Sequence, residues 1–240
     1  MTTQAEQSPR DPRDQHPPVA NEAKPRFTES PWATLVAIAF GVMMVALDGT
    51  IVAVANPAIG ASLGASLAEL QWVTHGYLLG LAVFLITAGK IGDRFGYRNT
   101  YLVGVIGFVV SSVAIALSSG VIMLIAFRIV QGIFGALLLP SAMGLLRASF
   151  PPSKLGRAFG VFGSLIGAAT AGGPILGGLL VGALSWEAVF YINVPVGAVA
   201  LALGLWLLAA NRPTDAGSRM DVPGIVLVSV AIFALVWALV

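Results

Sequence analysis

Long apolar blocks alternate with short polar breaks along this chain, at residues 32–56, 70–90, 99–118, 121–146, 158–181, 188–210 and 224–240. A helix needs about 20 apolar residues to cross the hydrocarbon of a bilayer, so each block reads as a spanning helix. Connections as short as 118–120 make successive helices antiparallel neighbours in a compact bundle. The expected fold is an all-α polytopic membrane protein with six helices over 32–210, a linker over 211–223 and the start of a seventh span over 224–240. That seventh block stops at Val240 without a polar flank, which reads as the front of a longer protein. Residues 1–31 hold six of the 14 prolines, mixed charge and no long apolar run, the composition of a disordered tail. The first apolar block starts too late and runs too long for a signal peptide.

Composition sharpens this picture. Hydrophobic residues make up 57% of the 240 positions and charged residues 10%, against about 25% charged in an ordinary globular domain. Nine of the 24 charges fall in the first thirty residues, which leaves 15 for the rest of the chain. So few cannot cover a water-soluble surface of that size. Soluble enzymes, nucleic-acid binders and secreted disulfide scaffolds are thereby excluded. There is no cysteine and only one histidine, His75, beyond the tail, so no cofactor or metal is expected.

The basic residues give an orientation. Arg10, Arg13, Lys24 and Arg26 lie in the tail, and Lys90, Arg94 and Arg98 between spans two and three. Arg147, Lys154 and Arg157 surround the loop between four and five, and Arg212 and Arg219 lie between six and seven. All twelve fall on one side, while the opposite loops carry only Glu69 and Glu187. The positive-inside rule places the tail and that side in the cytoplasm of a cell membrane.

Two ionisable residues lie inside spans, Asp48 in the first and Arg128 in the fourth. A central charge costs roughly 2.5–3.5 kcal/mol on insertion scales, so each needs a partner, a cavity or a task. Asp48 is eight residues from the expected outer end at Asn56, and Arg128 is seven from Val121. Both therefore lie about 10–12 Å from the outer surface, and pairing is geometrically open to them. A neighbouring cation favours a carboxylate and desolvation opposes it. A carboxyl between those influences suits the binding and release of a proton; the alternative is a static bridge that fixes helix packing. Arg128, Gln131, Gly132 and Gly135 share one face of span four, polar groups inward and glycines admitting a neighbour.

Other positions carry weaker signals. His75 reads as a hydrogen-bonded aromatic near the outer interface, with a proton relay as the alternative. Trp72, Tyr77, Trp186 and Tyr191 read as interface anchors. Span five is a glycine ladder, Gly156, Gly160, Gly163 and Gly167, explained by tight helix packing. Gly172-Gly173-Pro174 and Gly177-Gly178 follow, where proline and small residues coincide at mid-span and suggest a bend or a seal. Between spans two and three, Gly89 to Arg98 form a tight turn in which acid and base alternate between glycines. Asp93 is placed there to accept the first amides of span three or to pair with an arginine, as in a latch.

These segments together resemble the major facilitator superfamily. The loop Gly89-Lys90-Ile91-Gly92-Asp93-Arg94-Phe95-Gly96-Tyr97-Arg98 resembles its signature, with Ile91, Gly92 and Tyr97 replacing Leu, Ala and the first Arg. Arg128-x-x-Gln131-Gly132 resembles the span-four motif, whose Arg is implicated in proton coupling. Gly173-Pro174-x-x-Gly177-Gly178 resembles the span-five antiporter motif, associated with proton-driven export. Leu47 to Val52 and Trp186 to Gly197 resemble hallmarks of the drug:H+ antiporter branch with fourteen spanning helices. Ala53, Asn56 and Glu187 depart from that branch, which commonly has Asn, Leu and Arg there.

The resemblance implies a two-lobed fold with the substrate path between six-helix halves, worked by alternating access. The expected function is proton-coupled export of small amphipathic compounds across the cell membrane. Asp48, Arg128 and Gln131 would couple protons, and Gly89, Asp93, Arg94, Gly96 and Arg98 would form the gating loop. Gly173, Pro174, Gly177 and Gly178 would shape the span-five seal. The partners implied are a small-molecule substrate, protons, the lipid bilayer and a C-terminal half in the same or another chain, with no nucleic acid. The rival readings are a non-transporting half or membrane interaction subunit, and a nutrient:H+ symporter.

Overall fold

The computed structural model describes residues 30–208 together with residues 224, 227, 230, 231, 233 and 234. The expected tail, linker and most of the seventh span lie outside the described residues; the six described positions of 224–234 are helical. The helices are α1 (Pro31–Leu63), α2 (Leu67–Phe95), α3 (Tyr97–Ala116), α4 (Val121–Ser149), α5 (Pro152–Ala183), α6 (Ala188–Tyr191) and α7 (Asn193–Leu207). Among the described residues there is no strand. Counting α6 with α7, six units are long and apolar enough to cross a membrane. We call the end where α2 meets α3 and α4 meets α5 the basic end.

Local chemistry sets the helix ends. Pro31 opens α1, where its missing N–H leaves no bond unmade, and Gly64 closes it at φ 64°. Ser66 and Glu69 cap α2 reciprocally: the Ser66 hydroxyl accepts from the Glu69 amide at 3.4 Å and the Glu69 carboxylate from the Ser66 amide at 2.8 Å. Gly96 alone separates α2 from α3, at φ 87°, a conformation that favours glycine.

The elements differ from the expected spans at their margins. α1 continues through Pro57 to Leu63 instead of ending at Asn56, because a proline in an apolar helix removes one bond without forcing a stop. α5 begins at Pro152, six residues before the expected 158. The sixth span is not one helix to residue 210: it is interrupted at Ile192 and ends at Leu207. Pro195 lacks the N–H that would bond the Tyr191 carbonyl, which weakens the ladder at that turn.

Two apolar cores fill the bundle. One, toward the basic end, gathers Leu35, Ile38, Met44, Tyr101, Phe108, Leu138, Leu145 and Phe162. The other gathers Ile51, Ile59, Val73, Ile115, Leu124, Val189 and Phe190. On α1, α3 and α4, and across the α6–α7 break, the residues of the two cores are separated by one or two buried polar positions, Asp48, Ser111 with Ser112, Arg128 with Gln131, and Asn193. α2 and α4 approach closely at glycine, where a Cβ on Gly132 would run into the Tyr77 carbonyl and one on Gly80 into that of Ile129. α5 stands apart and packs mainly on α1.

Candidate functional site

The polar layer between the cores forms one connected cluster. Arg128 Nη1 donates to Asp48 Oδ2 at 2.5 Å, with both side chains fully buried. The same nitrogen donates to Gln131 Oε1 at 2.6 Å, and Arg128 Nε donates to the Val73 carbonyl at 3.1 Å. Gln131 Nε2 donates to Asp48 Oδ1 at 3.1 Å and to Ser112 Oγ at 2.7 Å. Asn193 Nδ2 reaches the same two acceptors at 3.0 and 3.1 Å. Ser112 in turn donates to the Phe108 carbonyl. The Tyr77 ring lies under the guanidinium, its centroid 4.2 Å from Cζ, and Phe190 lies 5.8 Å away. Both Asp48 oxygens are therefore bonded, while Arg128 Nη2 and Asn193 Oδ1 are buried without hydrogen-bond partners.

The expected pairing of Asp48 with Arg128 is present, and Gln131 joins it. The depth argument needs amendment, since α1 runs fifteen residues beyond Asp48 to Leu63. Its last two turns overshoot the start of α4, and the lateral register counted from Asn56 and Val121 survives. Tyr77 is not an interface anchor: it is buried, its hydroxyl donates to the Val45 carbonyl at 3.3 Å and its face supports Arg128. Trp186 is likewise buried, edge-on to Phe190. Ser112, Asn193 and the Val73 carbonyl were not foreseen as members. Neutral polar residues inside the third and sixth apolar blocks were the available signal for the first two.

The glycine ladder divides in two. A Cβ on Gly173 would strike the Thr50 hydroxyl, and one on Gly177 would press on Ile51 and Val54 at 3.0–3.3 Å. Thr50 Oγ1 donates to the Thr170 carbonyl at 3.1 Å, a further α1–α5 link. Gly156, Gly160, Gly163, Gly167 and Gly178 meet nothing within 4 Å, so packing within this bundle does not explain the first four. Pro174 is exposed on that outer face.

At the basic end, Asp93 accepts from the Tyr97 hydroxyl instead of from a span-three amide or an arginine. The Tyr97 ring is clasped by Gly92 and Gly144, at each of which a Cβ would lie 2.6–2.9 Å from ring atoms. Arg94 stacks over Phe95 at 5.5 Å, and Arg98 Nη2 donates to the Leu205 carbonyl at 3.1 Å. Gly89 has an open Cβ position and lines a cavity of about 460 Å³ with Asp93, Pro140 and Arg147. At the other end, Asn56, Gln71, Thr74 and His75 line a cavity of about 550 Å³. His75 meets Trp72 edge-on, and its Nδ1 has no hydrogen bond.

A bundle of six helices long and apolar enough to span a membrane, with a buried carboxylate–guanidinium pair at its polar layer, has the architecture of a polytopic membrane protein. A family model of the Major Facilitator Superfamily matches residues 38–240, and the chain belongs to that family. It is 61% identical over 210 residues to the tetracenomycin C resistance and export protein of Streptomyces glaucescens, covering 88% of this chain and 39% of that protein. It is 40% identical over 233 residues to a probable actinorhodin transporter of Streptomyces coelicolor, covering 95% and 40% respectively. The chain thus spans about two fifths of the length of these relatives. A crystal structure of a peptide transporter POT in complex with sulfate superposes with a TM-score of 0.67, covering 87% of this chain and 44% of the other. At 15% identity that likeness shows the fold alone.

Proposed function

We propose that the chain forms the N-terminal half of a proton-coupled exporter of small amphipathic compounds in the cell membrane, with its N-terminus and basic end cytoplasmic. The carrying observation is the sealed cluster around Asp48, in which one carboxylate ties α1 to α4 and α7. Loading a proton there removes the charge that Arg128, Gln131 and Asn193 all address, and so alters the bonding of three helices in one step. The relatives named for export and resistance support the direction of transport. Asp93 and Arg94 then serve the cytoplasmic gate, and the Gly173–Gly178 segment seals the path against α1. The facing wall is a C-terminal half supplied by further sequence or a second chain, rocking against this one.

The test is Asp48→Asn in the complete protein, reconstituted in vesicles with an imposed pH gradient. The variant is expected to insert, at lower thermal stability because Arg128 loses its partner, and to lose proton-driven efflux. Undiminished efflux would remove Asp48 from the mechanism. Protons moving in the same direction as substrate would make the protein a symporter.

A further inference from the structure

Two amides meet the same oxygen of Asp48, and they are held differently. Gln131 is fixed at both ends: its Nε2 donates to Asp48 and Ser112, while its Oε1 accepts from Arg128. Turning it over would set its NH2 group against the guanidinium. Asn193 is fixed at one end only, since its Nδ2 donates to Asp48 and Ser112 and its Oδ1, fully enclosed, has no partner. We infer that Asn193 is a positioning residue whose amide orientation follows the protonation of Asp48, donating to the carboxylate and turning over to accept from the carboxylic acid.

Electrostatics dictates both orientations. Against an ionised Asp48, an amide oxygen 3.0 Å from Oδ1 would be repelled, so the NH2 group must face it. A proton on Oδ1 reverses the requirement, because that oxygen becomes a donor, and the unpartnered Asn193 Oδ1 is the acceptor within a half-turn of χ2. The Ser112 hydroxyl, now directed at the Phe108 carbonyl, can swing to the turned amide oxygen. The change passes from α1 to the first residue of α7, beside the break at Ile192, and to α3. Among the described residues, the charged and titratable groups facing Asp48 are Arg128 of α4 and Tyr77 of α2; α3 and α7 present the neutral Ser112 and Asn193, and residues 158–183 of α5 carry no titratable side chain.

This inference rests on the proposed function only in taking Asp48 as a group that binds a proton. The experiment is an infrared titration of the purified protein in lipid nanodiscs, with Asp48→Asn assigning the carboxyl band. In Asn193→Ala the protonated Asp48 loses the acceptor for its O–H, and the position of its carboxyl band reads that loss. Its protonated C=O stretch is expected at higher frequency. An unchanged frequency would overturn the inference, as would an Asp48 that never takes up a proton. Should Asn193→Ala not fold, carbon-13 NMR of the Asn193 side-chain carbonyl in the unaltered protein decides. That resonance must move with the same midpoint as Asp48, and a carbonyl indifferent to pH while Asp48 titrates is the negative result. Efflux retained by Asp48→Asn would sink the transport reading while leaving this titration intact.

Discussion

Arg128, two turns into α4, makes three hydrogen bonds and lies against the Tyr77 and Phe190 rings, so its removal strips the site of its central group. Truncating one partner of a buried pair leaves a lone charge and costs about 3–5 kcal/mol. Arg128→Ala should therefore lower the thermal midpoint of the solubilised protein sharply. The double variant Asp48→Asn with Arg128→Gln, which buries no net charge, should recover most of the loss. Tyr97 permits a second test. Tyr97→Phe keeps the ring between Gly92 and Gly144 and removes the hydroxyl bond to Asp93, so the protein should fold with a modest loss of stability. Gly144→Ala intrudes on that ring and should destabilise the basic end by about 1–3 kcal/mol, read by the same melt. At this scale the sequence disclosed charges readily and neutral groups poorly. Asp48 and Arg128 stand out because ionised groups in apolar blocks are expensive. Ser112 and Asn193 carry so small a penalty that only the packing of α3 and α7 reveals their partners. Tyr77 was misjudged because α2 begins at Leu67, which sets the residue about 15 Å in from the helix start.

Among the elements, α5 is the least enclosed, and its glycines separate by the face they occupy. Gly173→Val places two methyl groups against Thr50 and Ile51 and should loosen α1 from α5, with a loss of about 1–3 kcal/mol. Gly178→Val, one residue beyond Gly177, meets nothing in this bundle and should leave its melting unchanged. Comparing the two in detergent separates packing from any role against a facing half. Among the described residues, the apolar blocks located each of the six spanning elements, because bilayer thickness imposes a minimum length. They missed the extension of α1 past Pro57 and the break at Ile192. Both depend on how one proline is accommodated by neighbours, which local hydropathy does not encode.

For the molecule as a whole, the proposed orientation has a direct test, made simple by the absence of cysteine from these 240 residues. A cysteine at Gly64, between α1 and α2, should react with a membrane-impermeant maleimide on intact cells. One at Pro151, between α4 and α5, should react only after permeabilisation. The reverse pattern would invert the topology. The two apolar cores on either side of a polar layer also explain why the site is sealed within this bundle. Asp48 and Arg128 are fully buried here, so the proposed proton loading requires movement of the helices that cover them.

That sealed pair has an electrical consequence. With Asp48 ionised, its charge and that of Arg128 cancel across 2.5 Å, and a voltage across the membrane finds almost nothing to grip. Protonation leaves the guanidinium as a single positive charge inside the low-dielectric layer. A full crossing of such a charge is worth about 2.3 kcal/mol per 100 mV. Membrane potential would then drive the loaded form and leave the empty form indifferent, so that one leg of the cycle carries current and the return leg does not.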